Sequence, residues 1–373
     1  MEYIFSYFDL VPYLIFLIMV LFFGNFEVEG IKNLNSTKFI FIVVFVFSSI
    51  RVGIGYDYYQ YIRLIKQSII DYDSVRIEFL ADLLMRLSYH ISFYQLFFII
   101  TSFIIAFSLY RGISILSTNP SLSFISFIFI PFLFLESLST IRSSVALSLC
   151  FLSFAYFYTK RYFLSFLFFF FAIGFHISAI VSLLIPFVFS HIYKPQFRTQ
   201  LILYVSSFFL GIFVYNYLSS IVDFFPYDIK KYILSFNIKG SGHIMAIVIN
   251  LINILNFIFY KKLKNIADAN EIYIRIYNIG TICWNVLFFQ DTIRLRVSLF
   301  YLIYIILLIP SYLYVFNYRN RNILKIVINI FLILFLSSSF YINISAHLSD
   351  RGKISFLPYQ TIFHYKVYPL YLK

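Results

Sequence analysis

Apolar runs long enough to cross a bilayer follow one another along almost the whole chain, and that succession narrows the possible architectures to one class. They lie at about 7–25, 36–52, 92–111, 121–138, 142–159, 162–190, 199–222, 243–260, 272–290, 295–316 and 322–344. About 20 apolar residues form a helix that spans the hydrocarbon core. Between the runs no polar stretch is long enough for a soluble domain, and 61% of the residues are hydrophobic against 12% charged. The chain therefore reads as an all-α polytopic integral membrane protein, one integral domain over 1–373, with about 11 apolar spans. The first run, starting near Asp9, has no basic leader and no small-residue cleavage site, so it reads as a retained span. Cys150 and Cys283 both lie inside apolar runs and read as small buried residues.

Several ionisable residues are stranded at or between these runs: Arg51, Asp57, Arg142, His176, Arg294 and Arg296. A charge near hydrocarbon costs about 2.5–3.5 kcal/mol even on lenient insertion scales, and persists mostly where it lines a wet cavity. The net charge of +13 is dispersed between spans rather than gathered on one soluble face. That excludes nucleic acid as the natural partner and points to membrane lipids with anionic or phosphorylated headgroups.

Lys and Arg in short loops mark the cytoplasmic side. The segments at 159–161, 193–198, 260–264 and 318–322 carry them. Residues 161 and 194 share a side only if the run between them returns on itself. That run holds roughly 30 residues, too few for two full crossings. A broken, re-entrant hairpin over 162–190 is expected, with its break near Gly174-Phe175-His176. The N-terminus, 51–92, Arg142, 223–242, Asp291 to Arg296 and a tail over 345–373 then face outside. Within the 51–92 loop, "RIEFLADLLMRLSYHI" reads as an amphipathic helix, with Ile77, Leu80, Leu84 and Leu87 on one face and Glu78, Asp82 and Arg86 on another.

The stranded residues suggest chemistry, each beside a plainer reading. In "RVGIGYDYYQY" (51–61), Gly53 and Gly55 permit a tight backbone path and Asp57 is the only acid. It is a proton acceptor or hydroxyl binder, or part of an interfacial loop anchored by tyrosines. Arg142 presents a guanidinium fork suited to pyrophosphate, or it snorkels to the interface; Glu136 is its candidate ion-pair partner. His176 is flanked by apolar residues on both sides. It is a general base for an attacking hydroxyl, or a satisfied core histidine. Arg294 and Arg296 are two apart and so face different sides of a helix. Arg296 is the one expected in a cavity, the other pairing with Asp291 or a headgroup. There is no metal-ligand spacing, P-loop or nucleophile elbow, so neither a metal nor a cofactor is expected.

Read in order, "RVGIGYDYYQY", Glu78 in "RIEFLADLL", "IRSSVALSLCFLSFAYFYTKRYF" (141–163), "AIGFHISAIVSLL" (172–184), "RVSLFY" (296–301) and "LPYQTIF" (357–363) resemble the Wzy-type polysaccharide polymerases, and within them the EpsG-like branch. Two departures stand out: Tyr56 precedes the acid where the family often has a small polar residue, and Ser143 follows Arg142 where Gln is usual. The resemblance implies a GT-C-like, nucleotide-sugar-independent glycosyltransferase at the outer face of the bacterial inner membrane. It would polymerise O-antigen, capsule or exopolysaccharide repeat units, moving the growing glycan from undecaprenyl pyrophosphate to a sugar hydroxyl of the next lipid-linked unit. Partners would be the lipid-linked oligosaccharide donor and acceptor, with a chain-length regulator. By this resemblance Arg142 and Arg296 bind pyrophosphate, Arg51 and Arg294 are second choices, Glu78 belongs to the substrate site, and His176 or Asp57 is the base. Two other readings of the stranded charges are a lipid-linked oligosaccharide flippase and a membrane-bound sugar O-acyltransferase. The first predicts pseudo-symmetric halves, and no inverted repeat is visible.

Overall fold

The computed structural model describes residues 10–25, 34–67, 77–189, 196–217, 243–315, 321–349 and 356–363. Parts of the loops read above as 193–198 and 318–322, all of 223–242, and the last ten residues lie outside these. The described chain is almost wholly helical, in keeping with an all-α membrane protein. It gathers into two compact units, one made of residues 1–179 with 317–373 and the other of residues 180–316.

In the first unit, α1 (Val11–Asn25), α2 (Leu34–Ser49), α5 (Gln95–Leu116), α6 (Pro120–Phe129), α7 (Pro131–Ser139), α8 (Ile141–Tyr158) and α9 (Tyr162–Phe175) form a helical bundle. A final long helix over Arg321–Ser349 packs on α6 and α7. The core pairs α5 with α8 and α8 with α9. Small hydroxyls knit these apolar helices together. Thr37 Oγ1 meets Ser121 Oγ at 3.2 Å, and Ser153 Oγ donates to the Ser165 carbonyl at 2.7 Å. Such bonds hold helices where lipid supplies no hydrophobic drive for association.

The run at 121–138, expected as one span, is instead two helices bent by 66°. Pro131 explains the break. It has no N–H for the ladder and opens α7 in the first turn, where that N–H is not needed. Asn119 starts α6 by accepting the Leu122 N–H at 2.9 Å. Among the described residues three helices, 95–116, 141–158 and 197–216, are long and apolar enough to cross a bilayer singly, or up to six if each bent pair is one span. Five more apolar helices are shorter.

Among the described residues two short helices lie between α2 and α5. The first, α3 (Tyr58–Gln67), has no counterpart in the reading of the sequence, although Tyr58, Tyr61, Ile62 and Ile65 are all buried at helical spacing. The second, α4 (Phe79–His90), is the amphipathic helix expected there, but rotated. It buries Ala81, Leu84, Met85 and Ser88, while Phe79, Leu83 and Leu87 stand exposed. Small residues decide the face, because Ala81 and Ser88 let α4 lie close to its neighbours. Leu80 closes on Gly174 of α9, where a Cβ would stand 2.6 Å from its Cδ1. The apolar residues left outside suit a helix lying along a bilayer surface.

Helix α9 ends at Phe175. His176 is extended, with φ −159° and ψ 126°, and the chain continues as a 3₁₀ helix over Ile177–Leu183. The helix thus breaks at the Gly174-Phe175-His176 step.

The second unit holds α10 (Leu184–Phe189), α11 (Phe197–Asn216), α12 (His243–Ile258), α13 (Tyr260–Ile266), α14 (Asp268–Val286), α15 (Asp291–Leu302) and α16 (Ile305–Tyr312). Its centre is α14, whose buried face carries amides among the aromatics. Asn250 and Asn285 exchange reciprocal amide bonds of 3.1 Å, and Asn253 Nδ2 donates to Asn278 Oδ1 at 3.0 Å. Asn285 Nδ2 also donates to Ser207 Oγ at 3.1 Å. These bonds tie α11, α12 and α14 together side chain to side chain.

Candidate functional site

Motifs far apart in sequence meet at one end of the first unit. The chain leaves α2 through β1 (Arg51–Val52), which pairs antiparallel with β2 (Gln360–Thr361) from the C-terminal segment. Arg51 opposes Thr361, and the Ile362 N–H donates to the Ile50 carbonyl at 3.0 Å. Gln95 at the start of α5 clamps the turn, its Nε2 donating to the Ser49 and Arg51 carbonyls at 2.7 and 2.9 Å. Tyr58 in turn donates to Gln95 Oε1 at 3.0 Å.

Gly53 and Gly55 both have positive φ, +70° and +100°. Gly55 lies directly on the end of α7, where any Cβ would stand 2.3 Å from the Leu138 carbonyl oxygen. That contact admits only glycine. The next residue is fixed by the Tyr56 N–H, which donates to Ser139 Oγ at 3.2 Å. The Tyr56 ring stays half exposed, with the buried Phe356 ring edge-on at 5.3 Å. Asp57 follows, partly buried. One turn later Tyr61 accepts a hydrogen bond from the Arg142 backbone N–H at 3.3 Å. The Tyr61 hydroxyl is pushed above the usual phenol range, first by burial, and lies within electrostatic range of both Arg142 and Asp57. The 51–57 loop is thereby docked on the α7–α8 elbow, which carries Arg142 in the first turn of α8.

Glu78 joins the remaining pieces. Its Oε2 accepts from Arg142 Nη1 at 2.7 Å. Its Oε1 accepts the Ile177 N–H at 3.2 Å and lies 3.5 Å from His176 Nδ1. One carboxylate from the start of α4 thus links the N-terminus of α8 to the end of α9. All three side chains keep some exposure, 12% for His176, 20% for Glu78 and 23% for Arg142. They form a shielded polar cluster rather than a sealed one. The Arg142 carboxylate partner is therefore Glu78 and not Glu136. The chain breaks at Thr140 between α7 and α8, so residues 136 and 142 do not share one helix. Arg142 Nε is buried, while the side chain as a whole keeps 23% exposure with Nη1 on Glu78, so the guanidinium is anchored at one end and still open to a ligand.

Arg51 lies elsewhere in the same unit. It is 1% exposed, with Nη1 donating to the Ser48 carbonyl and to Ser102 Oγ, and Nη2 reaching the Leu138 carbonyl at 3.4 Å. Its guanidinium lies over the Phe98 ring at 5.6 Å. These contacts fasten β1 to the bundle. In the second unit, Arg294 pairs with Asp291 and lies 4.2 Å from the Trp284 ring centroid. Arg296, two residues on, is partly exposed. Among the described residues no group of three or more His, Cys, Asp or Glu side chains could hold a metal ion.

Reading the sequence singled out Arg142, His176, Asp57 and Glu78, but not what joins them. It missed Tyr61, whose helical spacing with Tyr58, Ile62 and Ile65 was the available signal, and it missed the contacts of Glu78.

The sequence model of the EpsG family matches residues 36–361. That stretch begins in α2, ends at β2, and includes every site residue described above. No curated protein and no solved structure matches the chain.

Proposed function

The chain belongs to the EpsG family, and from that premise we propose that it is a polysaccharide polymerase acting on lipid-linked repeat units. The observation that supports this most is the linkage of Arg142, Glu78 and His176 at the end of the unit where the Asp57 loop docks. A glycosyl donor with a lipid pyrophosphate leaving group develops negative charge as its C–O bond breaks. A guanidinium held in place by a carboxylate, in partly shielded surroundings, is oriented for that charge before substrate arrives. Arg142 binds the pyrophosphate through the donors Glu78 leaves open.

The acceptor hydroxyl sits toward the 51–57 loop. There Tyr56 offers a supported aromatic face for a sugar ring and Asp57 a carboxylate for its hydroxyls. Arg51, committed to the Ser48 and Leu138 carbonyls and to Ser102 Oγ, serves the scaffold. Arg294, stacked on Trp284 and paired with Asp291, serves the second unit, and Arg296→Ala, read on the same glycan gel, tests the second pyrophosphate contact that the resemblance implies. The donor is an undecaprenyl pyrophosphate glycan, no nucleotide sugar takes part, and the reaction faces the outside of the inner membrane.

The test is genetic and biochemical together. Arg142→Ala should abolish long-chain glycan while single lipid-linked repeats accumulate. The ladder on a glycan gel and the extracted lipid-linked pool are read side by side. Polymer of ordinary length in Arg142→Ala refutes the proposal.

A further inference from the structure

His176 can use Nδ1 in two mutually exclusive ways, and the surroundings select one. The Ser178 N–H donates to Nδ1 at 3.2 Å. An atom that accepts presents its lone pair, so the neutral ring carries its proton on Nε2. Glu78 Oε1 is 3.5 Å from the same nitrogen but already accepts the Ile177 N–H at 3.2 Å. The carboxylate oxygen and the unprotonated nitrogen thus face each other as two acceptors, each served by a backbone amide. Both amides belong to the first turn of the 3₁₀ helix that follows the break. The extended backbone at His176 is what brings them round. The same break that ends α9 therefore also sets the tautomer.

We infer that His176 acts as a hydrogen-bond donor through Nε2–H, directed at an oxygen of the departing phosphate, and not as the base for the acceptor hydroxyl. This rests on the polymerase reading and adds the polarity of the imidazole to it. In the step, the acceptor oxygen forms a new bond to the anomeric carbon of the donor sugar. The bond from that carbon to the pyrophosphate oxygen breaks, and its electron pair stays on the phosphate. The hydroxyl proton passes to the Asp57 carboxylate. Nε2–H strengthens its bond to the phosphate oxygen as charge grows there, and no proton needs to leave the ring. Glu78 is a positioning residue. Both its oxygens are engaged, and it ties the guanidinium and the imidazole to one anchor.

Side-chain geometry supplies the test. Glutamine carries an N–H about where Nε2 sits, asparagine only about where Nδ1 sits, and neither amide takes up a hydroxyl proton. Membranes bearing each variant are compared for polymer formed from their lipid-linked repeat pool, and each purified protein is melted to check its fold. His176→Gln should keep at least about a tenth of parental polymerisation, while His176→Asn and His176→Ala fall by roughly 10²-fold or more, the usual scale for losing proton or hydrogen-bond chemistry. The Gln variant should also keep the parental pH profile. If Gln is as inactive as Asn and Ala while folded, and Arg142→Ala is inactive too, the donor assignment is overturned and the polymerase reading stands. If Arg142→Ala polymerises normally, the polymerase reading itself falls. Should the Gln variant not fold, Ser178→Pro decides. It removes the N–H on Nδ1 without changing His176 itself, and it should cost about tenfold, the scale of one hydrogen bond. Parental activity in that variant overturns the inference.

Discussion

Gly55→Ala tests most directly how the acidic loop is placed. Its φ of +100° would cost an alanine about 1–2 kcal/mol. The larger obstacle is steric. A Cβ there stands 2.3 Å from the Leu138 carbonyl oxygen and 2.9 Å from its carbon, and ordinary contact begins near ~3.5 Å. The loop must therefore withdraw by roughly 1 Å, because the other party is backbone at the end of a buried helix. Withdrawal breaks the bond from the Tyr56 N–H to Ser139 Oγ, at 3.2 Å in place, for about another 1 kcal/mol. The total destabilisation is about 2–3 kcal/mol, which a folded bundle survives. Function suffers more. A misplacement of about 1 Å costs on the order of 10²-fold in rate, and here it falls on Asp57.

Gly53→Ala is the control. Its φ is +70° but the atoms nearest its Cβ would belong to the far end of the Tyr59 side chain, the hydroxyl at 2.9 Å and the ring carbons at 3.5 and 3.7 Å, and a side-chain end gives way more cheaply than backbone. The assay is glycan ladder length together with thermal melting of the purified protein. Gly55→Ala should lose long polymer while melting only somewhat earlier, and Gly53→Ala should keep most of it. Full-length polymer from Gly55→Ala would refute the claim that loop docking on the α7–α8 elbow places Asp57.

Three further outcomes follow from the same geometry. Glu78→Gln keeps the shape but removes the charge that holds Arg142, so stability should drop by about 1–3 kcal/mol and polymer yield at least tenfold, measured by melting and by gel. Ile362→Pro removes the N–H that donates to Ile50 at 3.0 Å. It should release the C-terminal segment from β1 and cut polymer yield while circular dichroism shows undiminished helix. Asn253→Ala breaks the bond to Asn278, worth about 0.6 and at most ~1.7 kcal/mol between helices in a membrane. It should lower the melting temperature slightly and leave polymer length untouched; a block in polymerisation would give that amide a role beyond packing.

Periodic and local signals are legible in the sequence. The apolar runs announced a helical membrane protein, and the Gly174-Phe175-His176 step announced a break because the 162–190 run must return on itself and is too short for two full crossings. Pro131 was equally visible in the sequence, yet the 121–138 run reads as one span, since hydropathy is blind to direction. The face of α4 was misjudged because Ala81 and Ser88 are weak in any hydrophobicity pattern but decisive for close approach. Apart from the resemblance, Glu78 stood out only as a polar-face residue of an amphipathic helix, with nothing local to name its partners. Its partners are 64 and 99 residues away, a separation that no spacing rule reaches.

The order of amino acids alone determined that this chain must satisfy its backbone in helices and keep its few charges out of lipid, since both demands act on each segment by itself. Which charges meet was decided only by packing. Arg51 and Arg142 are alike as residues next to spans, yet one is enclosed by carbonyls and the other is held by a carboxylate with donor capacity to spare. That difference comes from how the elbow at Thr140, the start of α4 and the end of α9 come together, and a side chain's surroundings are a property of the fold rather than of its neighbours in sequence.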